Sequence, residues 1–325
     1  MTSPEWLLER GIGETRAVLM EGGEIVEARI ELEGALPAGS VIPARLASMA
    51  TNGRNAIAVA EGGVEYLLPR GAPGATQGST ITIEVAREAI PGGEPWKRPL
   101  ARVAADKVQQ LAPSLAERLN ARELVFPAAR DTLGDAGWND LIDEARTGIV
   151  TFAGGELRIS PTPAMTLIDV DGYLAPDELA VLGAREAARS IRRLDIGGSI
   201  GIDLPTSGSK EARQAAAQAI DGVLTQPFER TAVNGFGFVQ IVRPRSRPSL
   251  VELAQDRAWF EARALLRLAG FEQAGSKQLA AHSAVIAALE ARSDWLEILS
   301  RQVGGAIGLR ADANLPMSGG YAETA

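Results

Sequence analysis

Two aspartates that close apolar runs are the residues of this chain best suited to chemistry: Asp169 in TLIDVDG and Asp203 in SIGIDLPTS. A carboxylate pair brought together at strand ends repels itself unless a cation lies between the two groups. Hard oxygen ligands select Mg²⁺, with Mn²⁺ as the alternative. Such an ion, held by one or two carboxylates, completes its shell with water and substrate phosphate. The chemistry implied is phosphodiester cleavage by a metal-activated water. The same residue types have a plainer use. An aspartate after a strand also caps the next helix or turn, and Asp171 before Gly172 fits an Asx turn. Both readings stand at this point.

Few other groups compete for a catalytic role. The chain has no cysteine and one histidine, His282, which removes thiolate nucleophiles and Cys-based zinc sites and leaves little imidazole chemistry. Ser207 and Ser209 have no histidine in their neighbourhood, which argues against a serine hydrolase. GAPGAT and SGSK carry phosphate-cradle residue types without P-loop spacing, and read as surface turns. His282 sits in the apolar run LAAHSAVIAAL as a structural residue, and Trp259, Phe260 and Phe271 read as core. The net charge of -8 and pI near 5.0 argue against bulk attraction to nucleic acid. Against that background NGFGFVQIVRPRSRPSL stands out: Arg243, Arg245 and Arg247 alternate, with no acidic residue between Thr231 and Val251. Arginines so spaced can meet successive phosphates, or form a solvated loop.

The elements that would position these groups follow from periodicity. ETRAVLMEGGEIVEARIE predicts a hairpin, with strands near Arg16 to Met20 and Ile25 to Ile30 around Gly22-Gly23. From Gly39 to about Ala104, short Val/Ile/Leu runs separated by Gly- and Pro-rich turns predict a small all-β barrel. Helices are expected at ADKVQQLAPSLAERLN and GWNDLIDEARTG, then strands at GELRISP and AMTLIDV. A helix opened by Pro176, a strand GGSIGIDL, a helix SKEARQAAAQAIDGVL and a strand TAVNGFGFVQIVR come next. Helices near Leu250 to Leu268 and Ser276 to Ser300 complete the reading. Strand, helix and strand around Asp169 and Asp203 form a βαβ unit with parallel strands. Both carboxylates then emerge at the strand ends where open α/β sheets place ligands. Length and a mean hydropathy of +0.01 suit a globular protein of one or two domains. No run reaches the length of a membrane helix and no secretory signal opens the chain, so a cytoplasmic protein is expected.

This order of segments resembles the catalytic region of the ribonuclease E/G family. The motifs that carry the likeness are LIDVDG, RRLDIGGSIGIDL and FGFVQIVRPRSRPSL, over about Gly154 to Leu250, with fainter counterparts at ETRAVLMEGGEIVEARIE and TITIEVAREAIPGGEPWKRPLAR. The resemblance implies a ribonuclease H-like mixed α/β sheet with an inserted OB-type β-barrel and a helical C-terminal part. Its segments are residues 1-38 for the first strands, 39-104 for the barrel, 105-250 for the catalytic domain and 251-325 for the C-terminal portion. It implies an endoribonuclease for single-stranded RNA, with Asp169 and Asp203 as metal ligands. Mg²⁺ would be the cofactor, Arg243, Arg245 and Arg247 the phosphate contacts, and Tyr66 the best candidate to stack on a base. The alternative is an RNA-binding or regulatory protein that keeps the fold without efficient cleavage.

Departures from the family pattern are specific. Asp171 stands where the family usually has Asn, adding a third carboxylate that either ligates or repels. Thr206, Gln240 and Pro163 replace acidic residues. The V-R-T segment that grips a 5′-monophosphate has no counterpart. The Cys-x-x-Cys zinc link between subunits is absent, so a homo-oligomer, if formed, does without it.

Overall fold

The computed structural model describes residues 3–50, 54–92 and 97–324. Gly93 to Trp96, part of one segment quoted for the resemblance, lie outside the described residues. In chain order, β1 (Glu5–Arg10), β2 (Glu14–Glu21) and β3 (Glu24–Leu32) are followed by β4 (Val41–Met49), β5 (Ala56–Ala60), β6 (Glu65–Leu68), β7 (Thr80–Arg87) and β8 (Leu100–Val103). Then come α1 (Leu115–Leu119), β9 (Arg122–Leu124), α2 (Thr132–Asp135), α3 (Trp138–Thr147), β10 (Ile149–Phe152), β11 (Gly155–Pro161), β12 (Thr166–Gly172) and α4 (Pro176–Arg193). The remainder is β13 (Gly198–Asp203), α5 (Lys210–Asp221), β14 (Glu229–Arg230), β15 (Phe238–Arg243), α6 (Leu250–Leu253), α7 (Arg257–Phe271), β16 (Lys277–Ala281), α8 (Ser283–Glu290), α9 (Ser293–Val303), β17 (Ile307–Ala311) and β18 (Tyr321–Thr324). These elements form two compact units. One takes Met1–Glu33, Leu115–Arg146 and Leu253–Ala325, the other Gly34–Ser114 and Thr147–Glu252.

The first unit holds a four-stranded sheet of order β3-β2-β1-β9 and a three-stranded sheet of order β17-β16-β18. Its apolar core gathers Leu265, Leu266, Leu279, Leu289, Trp295 and Leu299. A buried charge lattice runs beside it. Arg16 meets Glu9 at 2.8 Å and Glu14 at 2.7 Å, Arg263 meets Glu14 at 2.8 Å, and Arg267 meets Glu9 at 2.9 Å and Asp131 at 2.5 Å. Mutual pairing is the condition under which such charges tolerate burial.

Three expectations change here. The strands of residues 1–38 do not share a sheet with Asp169, because β1 pairs with β9 and β2 while β12 lies in a separate six-stranded sheet. The helix expected over Ser276 to Ser300 begins as a strand. β16 runs between β17 and β18 as a fully internal strand, so its apolar run has no alternation to separate it from a helix. His282 then caps α8, its Nδ1 accepting from the Ala284 N–H at 3.2 Å. The helix expected through ADKVQQLAPSLAERLN shrinks to α1, because Pro113 cannot sit inside it.

In the second unit, five strands lying between residues 41 and 103 form the expected barrel, closed in the order β4-β5-β6-β8-β7. Tyr66 corrects the sequence reading: it is 3% exposed and belongs to the barrel core with Leu46, Leu68 and Ile83. In β6 the inward positions are Tyr66 and Leu68, and the strand's alternation carries the ring inside rather than onto the surface.

The six-stranded sheet has the order β10-β11-β12-β13-β15-β14, in which β12 and β13 are parallel and the other pairs antiparallel. One face is apolar and covered. Leu157, Ile159, Ile168, Val170, Ile200, Ile202, Val239 and Ile241 are buried there, α4 packs on β11 and β12, and α5 packs on α4. Close approach is built in at Gly183 of α4, where an added Cβ would stand 2.3 Å from Val170 Cγ1. The other face is open. Among the described residues no helix is long and apolar enough to cross a membrane.

Candidate active site

β12 alternates strictly: Thr166, Ile168 and Val170 point to the covered face, and Leu167, Asp169 and Asp171 to the open one. In β13, Ile200 and Ile202 are buried and Asp203 is exposed. The parallel register pairs Asp169 with Asp203 directly, so the two carboxylates are neighbours on the open face at the carboxyl ends of their strands. This is the βαβ arrangement expected from the sequence. Arg158 of β11 stands opposite Asp169, and Glu156 opposite Asp171. Beneath the pair the floor is apolar, since an added Cβ at Gly201 would lie 2.6 Å from the Phe238 ring and 3.0 Å from Leu167.

Burial and like charge both act on Asp169. The Asp169 carboxyl is raised above its ordinary value, first by burial, then by the charges of Asp171 and Asp203, with Arg158 opposing. A cation between Asp169 and Asp203 would relieve this repulsion. Asp171 does not complete a third corner: among the described residues no three His, Asp or Glu side chains converge as a metal-holding group. Two carboxylates with open positions suit Mg²⁺, which keeps most of its water.

Short hydrogen bonds fix the loops at this edge. Ser207 Oγ donates to Asp177 Oδ1 at 2.5 Å, joining the loop after β13 to the first turn of α4. Ser209 caps α5, accepting from the Ala212 N–H at 3.1 Å. Both serines are therefore structural, in line with their lack of a histidine.

The three arginines stand elsewhere. Arg243 is the register partner of Gly198, the first residue of β13, whereas Asp203 at its other end pairs with Phe238. Five residues of strand, about 16 Å, separate the two positions. Arg243 donates to the carbonyls of Ile196 at 2.9 Å and Ile191 at 3.4 Å, gripping the last turn of α4. Arg245 pairs with Glu252, and Arg247 with Asp195 at 2.5 Å. Asp195 has φ of 53° and Gly198 of 86°, the left-handed turn by which RRLDIGG leaves α4 and enters β13. Gly197 lets the chain at Pro244 pass, an added Cβ there lying 2.7 Å from the Pro244 carbonyl oxygen. The motif and the arginine segment are thus one structural joint.

What the sequence reading missed are two aromatic rings at the carboxylate edge, Tyr173 at 84% and Phe236 at 81% exposure. A signal was available: Tyr173 directly follows the Asp-Gly that ends the carboxylate strand, and Phe236 lies between two glycines. The first unit also contains a cavity of about 300 Å³ lined by Trp138, Arg146, Glu261, Arg267 and Phe271. Its arginines are already engaged, Arg146 with Glu261 at 2.7 Å and Arg267 with Glu9 and Asp131.

Fold and site together define an α/β protein with a β-barrel and a paired-carboxylate edge. The chain is 29% identical to Ribonuclease G of Escherichia coli strain K12 over 110 residues, covering 30% of this chain and 22% of the relative. It is 28% identical to Ribonuclease G of Salmonella typhimurium strain SL1344, over the same shares of each chain. The matched part is less than a quarter of the length of these curated relatives. No family profile matches the chain. The resemblance to the ribonuclease E/G family is borne out by these partial matches.

Proposed function

We propose that this protein is a Mg²⁺-dependent endoribonuclease acting on single-stranded RNA at the open face of the six-stranded sheet. The observation that carries the reading is the direct register of Asp169 with Asp203 at the carboxyl ends of parallel strands. Asp169 and Asp203 would hold the ion, which supplies an activated water and steadies charge on the phosphorus. The chain's own contribution is to fix the two carboxylates on a rigid edge over an apolar floor. The names of the similar proteins support RNA as the substrate, and the five-stranded barrel is of a size and closure suited to OB-type binding of oligonucleotides. Mn²⁺ satisfies the same donor set.

A fluorescent single-stranded oligoribonucleotide, incubated with Mg²⁺ or with chelator, tests this. Cleavage should require the metal and fall at least about a hundredfold in Asp169→Asn and in Asp203→Asn, since loss of a metal ligand removes several kcal/mol of charge stabilisation. Wild-type rates in either variant at saturating Mg²⁺ would refute the metal site.

The second reading is an RNA-binding protein without efficient cleavage. It is favoured by Asp171, a third negative charge on the face where a phosphate must sit. Wild-type protein that binds RNA and leaves it intact under saturating Mg²⁺ would establish it.

A further inference from the structure

We propose that Tyr173 and Phe236 are stacking platforms for the bases adjoining the phosphodiester held at Asp169 and Asp203. The inference rests on the reading of that edge as a nuclease site. Large aromatic side chains normally bury most of their surface, yet these two rings are 84% and 81% exposed. Both belong to the edge that carries the carboxylates. Tyr173 is two residues beyond Asp171, in the bend that directly follows β12. Phe236 is two residues before Phe238, the register partner of Asp203. The rings therefore stand on the segments that leave β12 and enter β15, the strands to either side of β13.

Their exposure is not looseness. The backbone under Phe236 is held on several sides: Asn234 Oδ1 accepts from the Phe236 N–H at 2.9 Å and from the Phe238 N–H at 3.0 Å. Thr206 Oγ1 donates to the Phe236 carbonyl at 3.3 Å. Gly237, at φ of 90°, presses so close to Leu204 that an added Cβ would lie 2.2 Å from its carbonyl oxygen. Tyr173 donates its N–H to the Gly154 carbonyl at 3.1 Å. An ordered turn that holds a phenyl ring in water gains nothing for folding. It presents a preorganised flat apolar surface, which is what an unpaired base stacks on.

Stacking also answers a problem of charge. The Arg243, Arg245 and Arg247 guanidiniums are engaged at the other end of the sheet, and the site itself is acidic. Arg158 beside Asp169 is itself paired with Glu156 at 2.7 Å, so attraction that does not depend on charge adds to the hold on RNA at the metal. Stacking of this kind tolerates every base and resists salt.

The test is a cycle between protein and substrate. In initial-rate measurements with Mg²⁺, Phe236→Ala and Tyr173→Ala should each lower kcat/KM for the oligoribonucleotide by about five- to hundredfold, chiefly through KM. Phe236→Trp should restore the rate and Phe236→Leu should not. A wild-type substrate with one abasic position beside the cut should show the same loss, and the corresponding variant should lose nothing further on that substrate. The salt dependence should be unchanged. Fully additive losses, rescue by Leu, or rates within twofold of wild type would overturn the proposal. So would sedimentation in which the wild type self-associates and Phe236→Ala does not, which would assign the rings to a second copy of the chain. If the wild type binds without cleaving, the same cycle is read by anisotropy. If it neither binds nor cleaves RNA, or if Asp169→Asn cuts normally, the nuclease reading fails independently of the rings.

Discussion

Asp171 shares the face of Asp169 and faces Glu156 across β11, with no partner on β13 to share an ion with it. Its charge raises the Asp169 carboxyl, so its effect on the neighbouring pair is repulsive. Asp171→Asn should therefore lower the Mg²⁺ concentration for half-maximal cleavage by about two- to fivefold, the size of one like-charge contact in a wet site. A higher requirement in a Mg²⁺ titration would make Asp171 a ligand. A second residue of known sign lies on the barrel. Glu84 is held at about 2 by hydrogen bonds from Arg102 and Lys107, whose charges act in the same direction. Because the folded value is depressed, Glu84 stabilises the barrel above the ordinary carboxylate range, and that contribution fades as pH falls from about 4.5 toward 2. Melting curves of wild type and Glu84→Gln should differ most near pH 6 and converge near pH 2. A constant gap across that range would show that the pairing contributes nothing.

Among the elements, α4 and β12 set the site, and their contact is narrowest at Gly183. Gly183→Ala would push a methyl into Val170, a stiff β-branched neighbour on the strand that carries Asp169. Despite alanine's better helix propensity, the substitution should destabilise by about 1–3 kcal/mol and lower cleavage through displacement of β12, measured by urea unfolding and by rate. A more stable variant would mean that the helix shifts freely. This contact also shows what was legible in the sequence. TLIDVDG and SIGIDL gave the strand pair and its register because alternation against a covered face leaves one solution, and Pro176 marked the helix between them. Arg243, Arg245 and Arg247 were legible as a cluster but not as a joint. Their partners Asp195, Ile196 and Glu252 come from other elements, and pairing across elements is tertiary information. Tyr66 failed for a related reason: in a closed barrel either parity of EYLL is compatible with its composition, and only closure puts the ring inside. β16 was hidden because an internal strand and a buried helix share one apolar signature.

At the scale of the whole molecule the controlling quantity is charge. A net charge of -8 gives the chain no general attraction for a polyanion, and its most conspicuous arginine cluster is committed to internal partners. Few counterions can then be released when RNA binds. For single strands the logarithm of affinity falls with the logarithm of salt by about 0.7 per phosphate neutralised. With one or two phosphates engaged, raising monovalent salt from about 50 to about 200 mM at fixed Mg²⁺ should weaken binding by less than about tenfold. Substituting Arg243, Arg245 and Arg247 by Ala should leave that slope in place and instead lower the melting temperature, because each substitution frees a buried or half-buried carboxylate or carbonyl. Fluorescence anisotropy across the salt series, on wild type and on the triple variant, reads both quantities. A thousandfold loss of affinity in the wild type, flattened in the triple variant, would mean that these arginines leave their partners to meet phosphate when RNA arrives.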